Sequence, residues 1–241
     1  MVYFVLYGIT HLLLTKLIMA KTLQKEVSAE HVDAQWERLL KVVKETFADD
    51  EDRVTKMTML YTDMESRIRS APASGRFHYH NAYPGGYLDH ILNVLDCTTS
   101  IAVLYKKVGG EINFTKAELV FAALNHDLGK LGDEDGPYYV TQTSDWHRDK
   151  MGEFYKTNPE IPFMTVTDRA FYLLQLYGIQ MTKHETIALR LADGMYEEAN
   201  VRYLKNNEPF AGKTNLSNIL HWGDMMATSI ERDEARLSIE S

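Results

Sequence analysis

LVFAALNHDLGK, residues 119–130, is the stretch of sequence that decides the fold. Its first six residues are all apolar, which predicts a helix that is buried on every side. The helix should end at Asn125, His126 and Asp127, with Gly129 as the left-handed residue that stops it. An imidazole and a carboxylate are costly to bury unless each has a partner, and a divalent cation would serve both. The stretch therefore predicts a helical fold with a metal centre at the end of a buried helix.

Two other segments supply further candidate ligands. His90 follows a Gly-Gly pair that opens a predicted helix, and Val94 and Cys97 on the same helix face indicate that His90 points inward. Asp224 lies on or beside an apolar stripe of near-helical period. Two imidazoles and two carboxylates from three helices make a mixed nitrogen and oxygen site with open positions. Such a site suits a catalytic cation better than a closed structural zinc site.

These residues resemble the motif of a known family, the HD-domain metal-dependent phosphohydrolases. The family pattern is a single His, a His-Asp pair and a distant Asp, which correspond here to His90, His126-Asp127 and Asp224. The resemblance extends over about residues 76–230. It implies an all-α fold, the HD-domain helical bundle.

The flanking residues carry the resemblance further. HDLGK at residues 126–130 resembles the family's His-Asp-x-Gly-Lys. HNAYPGGYLDH at residues 80–90 resembles a His-rich, Gly-Gly segment of one subgroup. That subgroup includes bacterial 3′–5′ exoribonucleases and conjugation-associated proteins.

The resemblance implies that the protein is a metal-dependent phosphohydrolase. His90, His126, Asp127 and Asp224 would hold a divalent metal ion, which could be Mn, Co, Ni, Fe, Zn or Mg. The cation would lower the pKa of bound water, which would attack a phosphate ester or anhydride of a nucleotide. Asp127 would serve catalysis as well as metal binding, and we expect His147 to act on the phosphate or to protonate the leaving oxygen.

A second cation is a weaker expectation. In binuclear relatives, a His followed by a Gly at about the spacing of His147 and Gly152 binds a second metal, together with another His before a Gly. The corresponding place here holds Asp193 and Gly194. This departure predicts one tightly bound cation, although a carboxylate can replace an imidazole and leaves room for a second.

Four residues are candidate substrate contacts. Lys130 could meet a phosphate as a point charge, or it could be a solvated lysine at a helix end. His80 and Arg76 precede the Gly-Gly pair and could reach phosphate oxygens. Asp193 could bind a sugar hydroxyl or a metal, or it could be a carboxylate at a helix end.

The composition limits the alternatives. A chain of 241 residues with 45% hydrophobic and 25% charged residues is typical of a globular protein with an ample core. The net charge of −8 argues against a large nucleic-acid surface, so a small nucleotide is favoured over a nucleic acid. The single Cys97 excludes an intramolecular disulfide, which fits a cytoplasmic protein. The oligomeric state is not predicted.

Two other functions stay open. The subgroup resemblance of residues 80–90 favours a 3′–5′ exonuclease or a cyclic-dinucleotide phosphodiesterase, but residues 1–75 contain no recognisable RNA-binding module. A third hypothesis is a non-catalytic sensor that binds a nucleotide. The complete set of metal-ligand residue types speaks against it.

The N-terminus is predicted to be an apolar extension, residues 1–24. Residues 1–18 contain His11 and Lys16 and fall short of the roughly 20 apolar residues that a membrane span needs. We expect no stable membrane association. Met19 and the residues after it resemble an ordinary protein start, so translation is hypothesised to begin there. Residues 25–241 are expected to form a single domain.

The remaining pattern is helical. Helices are predicted at about residues 28–47, 49–70, 86–107, 115–128, 145–157, 165–178, 183–205 and 215–235. Thr115 with Glu118 and Thr182 with Glu185 have the form of capping boxes. Residues 137–141 could be a short strand, but no sheet is predicted.

Overall fold

The structure is a computed structural model that describes residues 27–194, 198–201 and 214–240. The predicted N-terminal extension, residues 1–24, and the predicted start at Met19 lie outside these residues. Within them, no helix combines the length and the apolar character that a membrane crossing requires.

Helices dominate the described residues, which confirms the predicted all-α class. Nine α-helices, two short 3-10 helices and one two-stranded antiparallel sheet are found there. The α-helices are α1 (Ala29–Thr46), α2 (Glu51–Asp63), α3 (Glu65–Ser70), α4 (Gly86–Lys107), α5 (Lys116–Asn125), α6 (Asp145–Met151), α7 (Val166–Leu176), α8 (Lys183–Arg190) and α9 (Leu216–Glu240). The 3-10 helices are Leu128–Leu131 and Glu198–Asn200, and the strands are β1 (Tyr139–Thr141) and β2 (Tyr155–Thr157).

The predicted buried helix is α5, and it lies in the core. Residues 119–125 are all buried, and α5 packs against α4, α8 and α9. Both predicted capping boxes are present, at Thr115 before α5 and at Thr182 before α8. His126 and Asp127 are 3% and 5% exposed, so the end of α5 delivers both side chains into the interior.

Two of the predicted helices are shorter than expected. The helix expected over residues 49–70 is interrupted at Met64, where α2 ends and α3 begins. The helix expected over residues 183–205 ends at Arg190. An apolar stripe can continue across a turn when both pieces pack against one core, so periodicity alone does not locate such a break.

The helix expected over residues 145–157 is also wrong in its second half. α6 ends at Met151, because Gly152 adopts a φ of 60° in the left-handed conformation that stops a helix. The chain then enters β2, which pairs antiparallel with β1 and places Lys156 opposite Val140. The short strand near residues 137–141 therefore has a partner that the sequence pattern did not reveal.

Gly129 is not the left-handed residue that was predicted to stop α5. The chain continues as the 3-10 helix Leu128–Leu131, and the positive φ of 81° falls at Gly132. Gly129 is needed for a close approach, because a Cβ there would lie 2.0 Å from the carbonyl oxygen of Val166. The start of α7 thus packs directly on the backbone that follows the His-Asp pair.

Gly129→Ala tests this close approach. The added methyl group has no room beside the Val166 carbonyl, so we expect a loss of stability of about 1–3 kcal/mol. Gly178→Ala is the control: Gly178 has a φ of 63°, and a Cβ there would meet only the Lys56 side chain, at 3.8 Å, so that variant reports left-handed strain alone, about 1–2 kcal/mol. The urea concentration at the midpoint of unfolding should be lower for Gly129→Ala than for wild type. An unchanged midpoint would contradict the close packing of Gly129 against Val166.

Candidate metal centre

His126 is oriented by its own helix. Its Nδ1 lies 2.8 Å from the carbonyl oxygen of Ala123, which can only accept, so Nδ1 carries the hydrogen and Nε2 keeps its lone pair. His126 Nε2 is buried and has no hydrogen-bond partner among the described residues. A buried acceptor without a donor is costly, and a cation would satisfy it.

Asn125 fixes the point at which α5 ends. Its side-chain oxygen accepts from the Tyr61 hydroxyl at 3.0 Å, and its amide nitrogen donates to the Phe121 carbonyl at 2.8 Å. Both bonds are buried, where an unmade bond would cost the full desolvation of its group. The two bonds hold the last turn of α5 and therefore the backbone that carries His126.

His90 lies in the second turn of α4 and is held by a carboxylate from α9. Its Nδ1 lies 3.0 Å from Oε2 of Glu231, so Nδ1 donates and Nε2 faces the other way. Glu231 is 2% exposed and also accepts from the side-chain amide of Asn93 at 2.8 Å. A histidine that donates its second nitrogen to a carboxylate is the usual arrangement of a metal-ligating histidine.

The four predicted ligands come together at one point. His90 Nε2 lies 3.5 Å from Asp127 Oδ2 and 3.3 Å from Asp224 Oδ1. His126 Nε2 lies 3.6 Å from the same Asp127 oxygen and 3.9 Å from the same Asp224 oxygen. Metal–ligand bonds of about 2.0–2.2 Å place neighbouring donors roughly 3.0–3.6 Å apart, and all the separations but that of His126 from Asp224 fall in this range. The buried group of His90, His126 and Asp127 could hold a metal ion.

The charges of the group compensate one another. Burial works against a protonated His90, but Glu231 and Asp224 outweigh it and raise the pKa of His90 to about 10. Burial would raise the pKa of Asp127, but Lys130 and His90 help to lower it instead. The pKa of Asp224 is also lowered, because its hydrogen bond to His90 and the positive charges near it outweigh burial. Both carboxylates are therefore ionised at neutral pH.

Lys130 and His80 lie beside this group. Lys130 Nζ is 2.6 Å from Asp127 Oδ2, and the Asp127 charge raises the pKa of Lys130 although burial opposes it. The ring centroid of His80 is 4.6 Å from that of His90. Burial, followed by the charge of His90, lowers the pKa of His80 to about 2. His80 is thus neutral, and Lys130 is charged.

An open cleft of about 420 Å³ begins at Lys130 and His80. The loop before α4 forms one wall, and the β1–β2 hairpin forms the other. Its charged and aromatic lining consists of Arg76, Tyr79, His80, Lys130, Tyr139, Glu153, Tyr155 and Lys156. The lining contains three cationic side chains and three tyrosine rings but only one carboxylate. Such a surface suits an anionic ligand that carries an aromatic group.

The structure brings most of the predicted substrate contacts to the centre. Arg76, His80 and Lys130 line the cleft. Asp193 lies close enough that the Asp127 charge, together with burial, raises its pKa. The turn that carries Asp193 is held by His221, whose Nδ1 lies 2.9 Å from the Ala192 carbonyl oxygen.

His147 is not brought to the centre. Its residue is exposed, and its Nδ1 lies 2.9 Å from the Ser144 hydroxyl at the start of α6. Among the described residues it makes no ion pair with Asp127 or Asp224, and the groups that could hold a metal contain neither His147 nor Asp193. The prediction of one cation rather than two stays a prediction.

Sequence reasoning missed two residues of the site. Glu231 lies two helical turns after Asp224 on α9, and a glutamate on the buried stripe of that helix was the available signal. Lys156 was assigned to a helix, and only the pairing of β2 with β1 brings it into the cleft.

Comparisons with known proteins give no relative. Neither family models, curated proteins nor solved structures match the chain.

Metal binding should release a proton from His90. Glu231 and Asp224 hold that proton in the metal-free protein, with a His90 pKa of about 10, and the cation needs the Nε2 lone pair. The apparent affinity for Mn²⁺ should therefore rise about tenfold per pH unit as pH increases from 7 to 9, and level off above the His90 pKa. Calorimetry in buffers of different ionisation enthalpy would count the protons released.

Glu231→Gln supplies the matched control for this titration. The amide keeps the shape of the side chain but removes the charge that contributes most to raising the His90 pKa. The affinity should then level off at a lower pH than in wild type. An affinity independent of pH in the wild-type protein would contradict a protonated His90.

Proposed function

We propose that this protein is a divalent-metal-dependent phosphohydrolase of the HD type that acts on a nucleotide. The observation that carries the proposal is the buried, unpartnered Nε2 of His126, which faces the same point as His90 Nε2 and one oxygen each from Asp127 and Asp224. Among the described residues no hydrogen-bond partner reaches His126 Nε2, and all four atoms are metal ligands by type.

The residues divide the chemistry among themselves. When bound, a divalent cation supplies Lewis acidity for a phosphoryl oxygen and acidifies water. His126, and His90 after loss of its Nε2 proton, would direct their Nε2 lone pairs toward it, because the Ala123 carbonyl and Glu231 accept hydrogen bonds from their Nδ1 atoms. Lys130 places an ammonium at the edge of the cleft, where it would neutralise charge on a phosphate.

The cleft supports an anionic, aromatic substrate. Arg76 is only loosely paired with Glu153, at 3.8 Å, and Lys156 makes no ion pair among the described residues. The tyrosine rings of the cleft offer stacking surfaces for a base. A cleft of about 420 Å³ is close to the lower limit for small-molecule sites, which favours one nucleotide over a long polymer.

An exonuclease or cyclic-dinucleotide phosphodiesterase is the second candidate. It is favoured by the position of residues 80–90. This segment contributes His80 to the cleft and His90 to the metal group, which is the name used here for His90, His126, Asp127 and Asp224. The net charge of −8 weighs against it. A screen with Mn²⁺ against nucleotides, short RNA and cyclic dinucleotides separates the candidates by product. Binding without any product would instead support a sensor.

A cytoplasmic site of action is part of the proposal and fits the free, buried Cys97.

Asp127→Ala should remove both bound metal and turnover. The variant loses one ligand and leaves His90 and His126 without their shared carboxylate, so we expect the metal affinity to fall by more than roughly 100-fold. Metal analysis and the substrate screen measure both effects, while circular dichroism checks the fold. Asp96→Ala is the control, because Asp96 is an exposed residue of α4 that pairs with Arg38. Full metal occupancy in Asp127→Ala would sink the assignment.

Lys156→Met should weaken substrate binding without affecting the metal. The side chain keeps its length but loses the charge, so KM should rise roughly threefold to tenfold while kcat changes little. Lys150→Met, on the exposed face of α6, is the matched control. Equal KM values for the two variants would show that the cleft is not where the substrate lies.

A further inference from the structure

His80 lies where the cleft meets the metal group. It lines the cleft together with Lys130 and Tyr139, and its ring centroid is 4.6 Å from that of His90. His80 is therefore the imidazole that a ligand would meet when it reaches from the cleft toward the cation.

The backbone around His80 is held in an uncommon conformation. Asn81 has a φ of 40° and is the one non-glycine residue with positive φ in the described part of the chain. The Ser74 hydroxyl donates to the His80 carbonyl at 2.6 Å, and the Ala73 amide donates to the Asn81 carbonyl at 3.0 Å. Gly86 makes room for the Asn81 carbonyl oxygen, since a Cβ there would lie 2.0 Å from it. Such strain persists only where surrounding bonds enforce it, and it is concentrated at functional sites.

One nitrogen of the His80 imidazole has no hydrogen-bond partner among the described residues. This atom, Nε2, is buried. His80 is not grouped with His126 and Asp127, whose ligand atoms surround the proposed cation position with that of His90. It is grouped with His90 and Glu231, but these two are already bonded to each other at 3.0 Å. A cation at His80 would have to break that bond, so a substrate atom is the better partner.

We propose that His80 donates a hydrogen bond to an oxygen of the phosphoryl group that the metal centre binds. The proposal rests on the proposed function, because it places a phosphate beside the cation. His80 and Lys130, which both line the cleft, then contact the same phosphate.

The test measures phosphate binding rather than turnover. His80→Phe keeps an aromatic ring against His90 but removes both nitrogens. Mn²⁺ binding is measured by calorimetry, and inorganic phosphate binding to the Mn²⁺-loaded protein by paramagnetic broadening of its ³¹P resonance. His78→Phe is the matched control, because His78 is exposed on the same loop and does not line the cleft. His80→Gln, which retains an amide N–H near the position of Nε2, serves as the second variant.

The proposal predicts that His80→Phe binds Mn²⁺ like wild type but binds phosphate about 10- to 100-fold more weakly, the effect of losing one hydrogen bond to a charged group. His80→Gln should recover part of the loss, and His78→Phe should behave like wild type. Unchanged phosphate binding in His80→Phe would overturn the proposal. So would loss of Mn²⁺, which would make His80 a metal ligand. A wild-type protein that binds no Mn²⁺ would instead refute the proposed function.

Discussion

The cost of burying His126 and Asp127 at the end of α5 governs the rest of the site. Residues 119–124 of α5 are all apolar, so the helix runs through the core, and the residues that follow arrive where water cannot solvate them. Three contacts offset part of that cost. The carbonyl oxygen of Ala123 accepts a hydrogen bond from His126 Nδ1, Lys130 forms an ion pair with Asp127, and Asp224 of α9 lies near His126 Nε2. The remaining nitrogen, His126 Nε2, has no hydrogen-bond partner among the described residues and belongs to the group that could hold a metal ion.

The elements that hold the metal group differ in kind from those that form the cleft. α4, α5 and α9 carry His90, His126 and Glu231 on packed helices, whose positions are fixed by core burial. The cleft is built mainly from the loop before α4 and the β1–β2 sheet, which bear Arg76, Lys156 and the tyrosines, while Lys130 comes from the 3-10 helix after α5. The packed helices hold the histidine and carboxylate side chains in place, whereas the shape of the cleft depends on short segments at the surface.

Much of the fold and of the candidate site was predictable from local properties of the sequence. The predictions that were wrong or incomplete concern residues whose roles depend on contacts with distant parts of the chain. The apolar run before His126 and the capping residue Thr115 locate α5, because burial and capping are local properties of the sequence. The motif predicted that the two histidines and two aspartates would come together, but it did not predict the distances between their side-chain atoms. Glu231 was missed because its role depends on how α9 packs against α4, and Lys156 was missed because strand pairing depends on a partner distant in sequence. Gly129 was misread because its constraint comes from α7, not from the helix that it follows.

The charges of the group explain why a divalent cation would suit it. In the metal-free protein, protonated His90 and Lys130 give Asp127, Asp224 and Glu231 their partners, so no carboxylate is buried without a partner. Once His90 loses its proton, the three carboxylates face a single ammonium, and two negative charges remain. A divalent cation matches them, whereas a monovalent one would leave a buried charge unpaired. Exchange of one proton for a divalent cation would therefore balance the charges of the group.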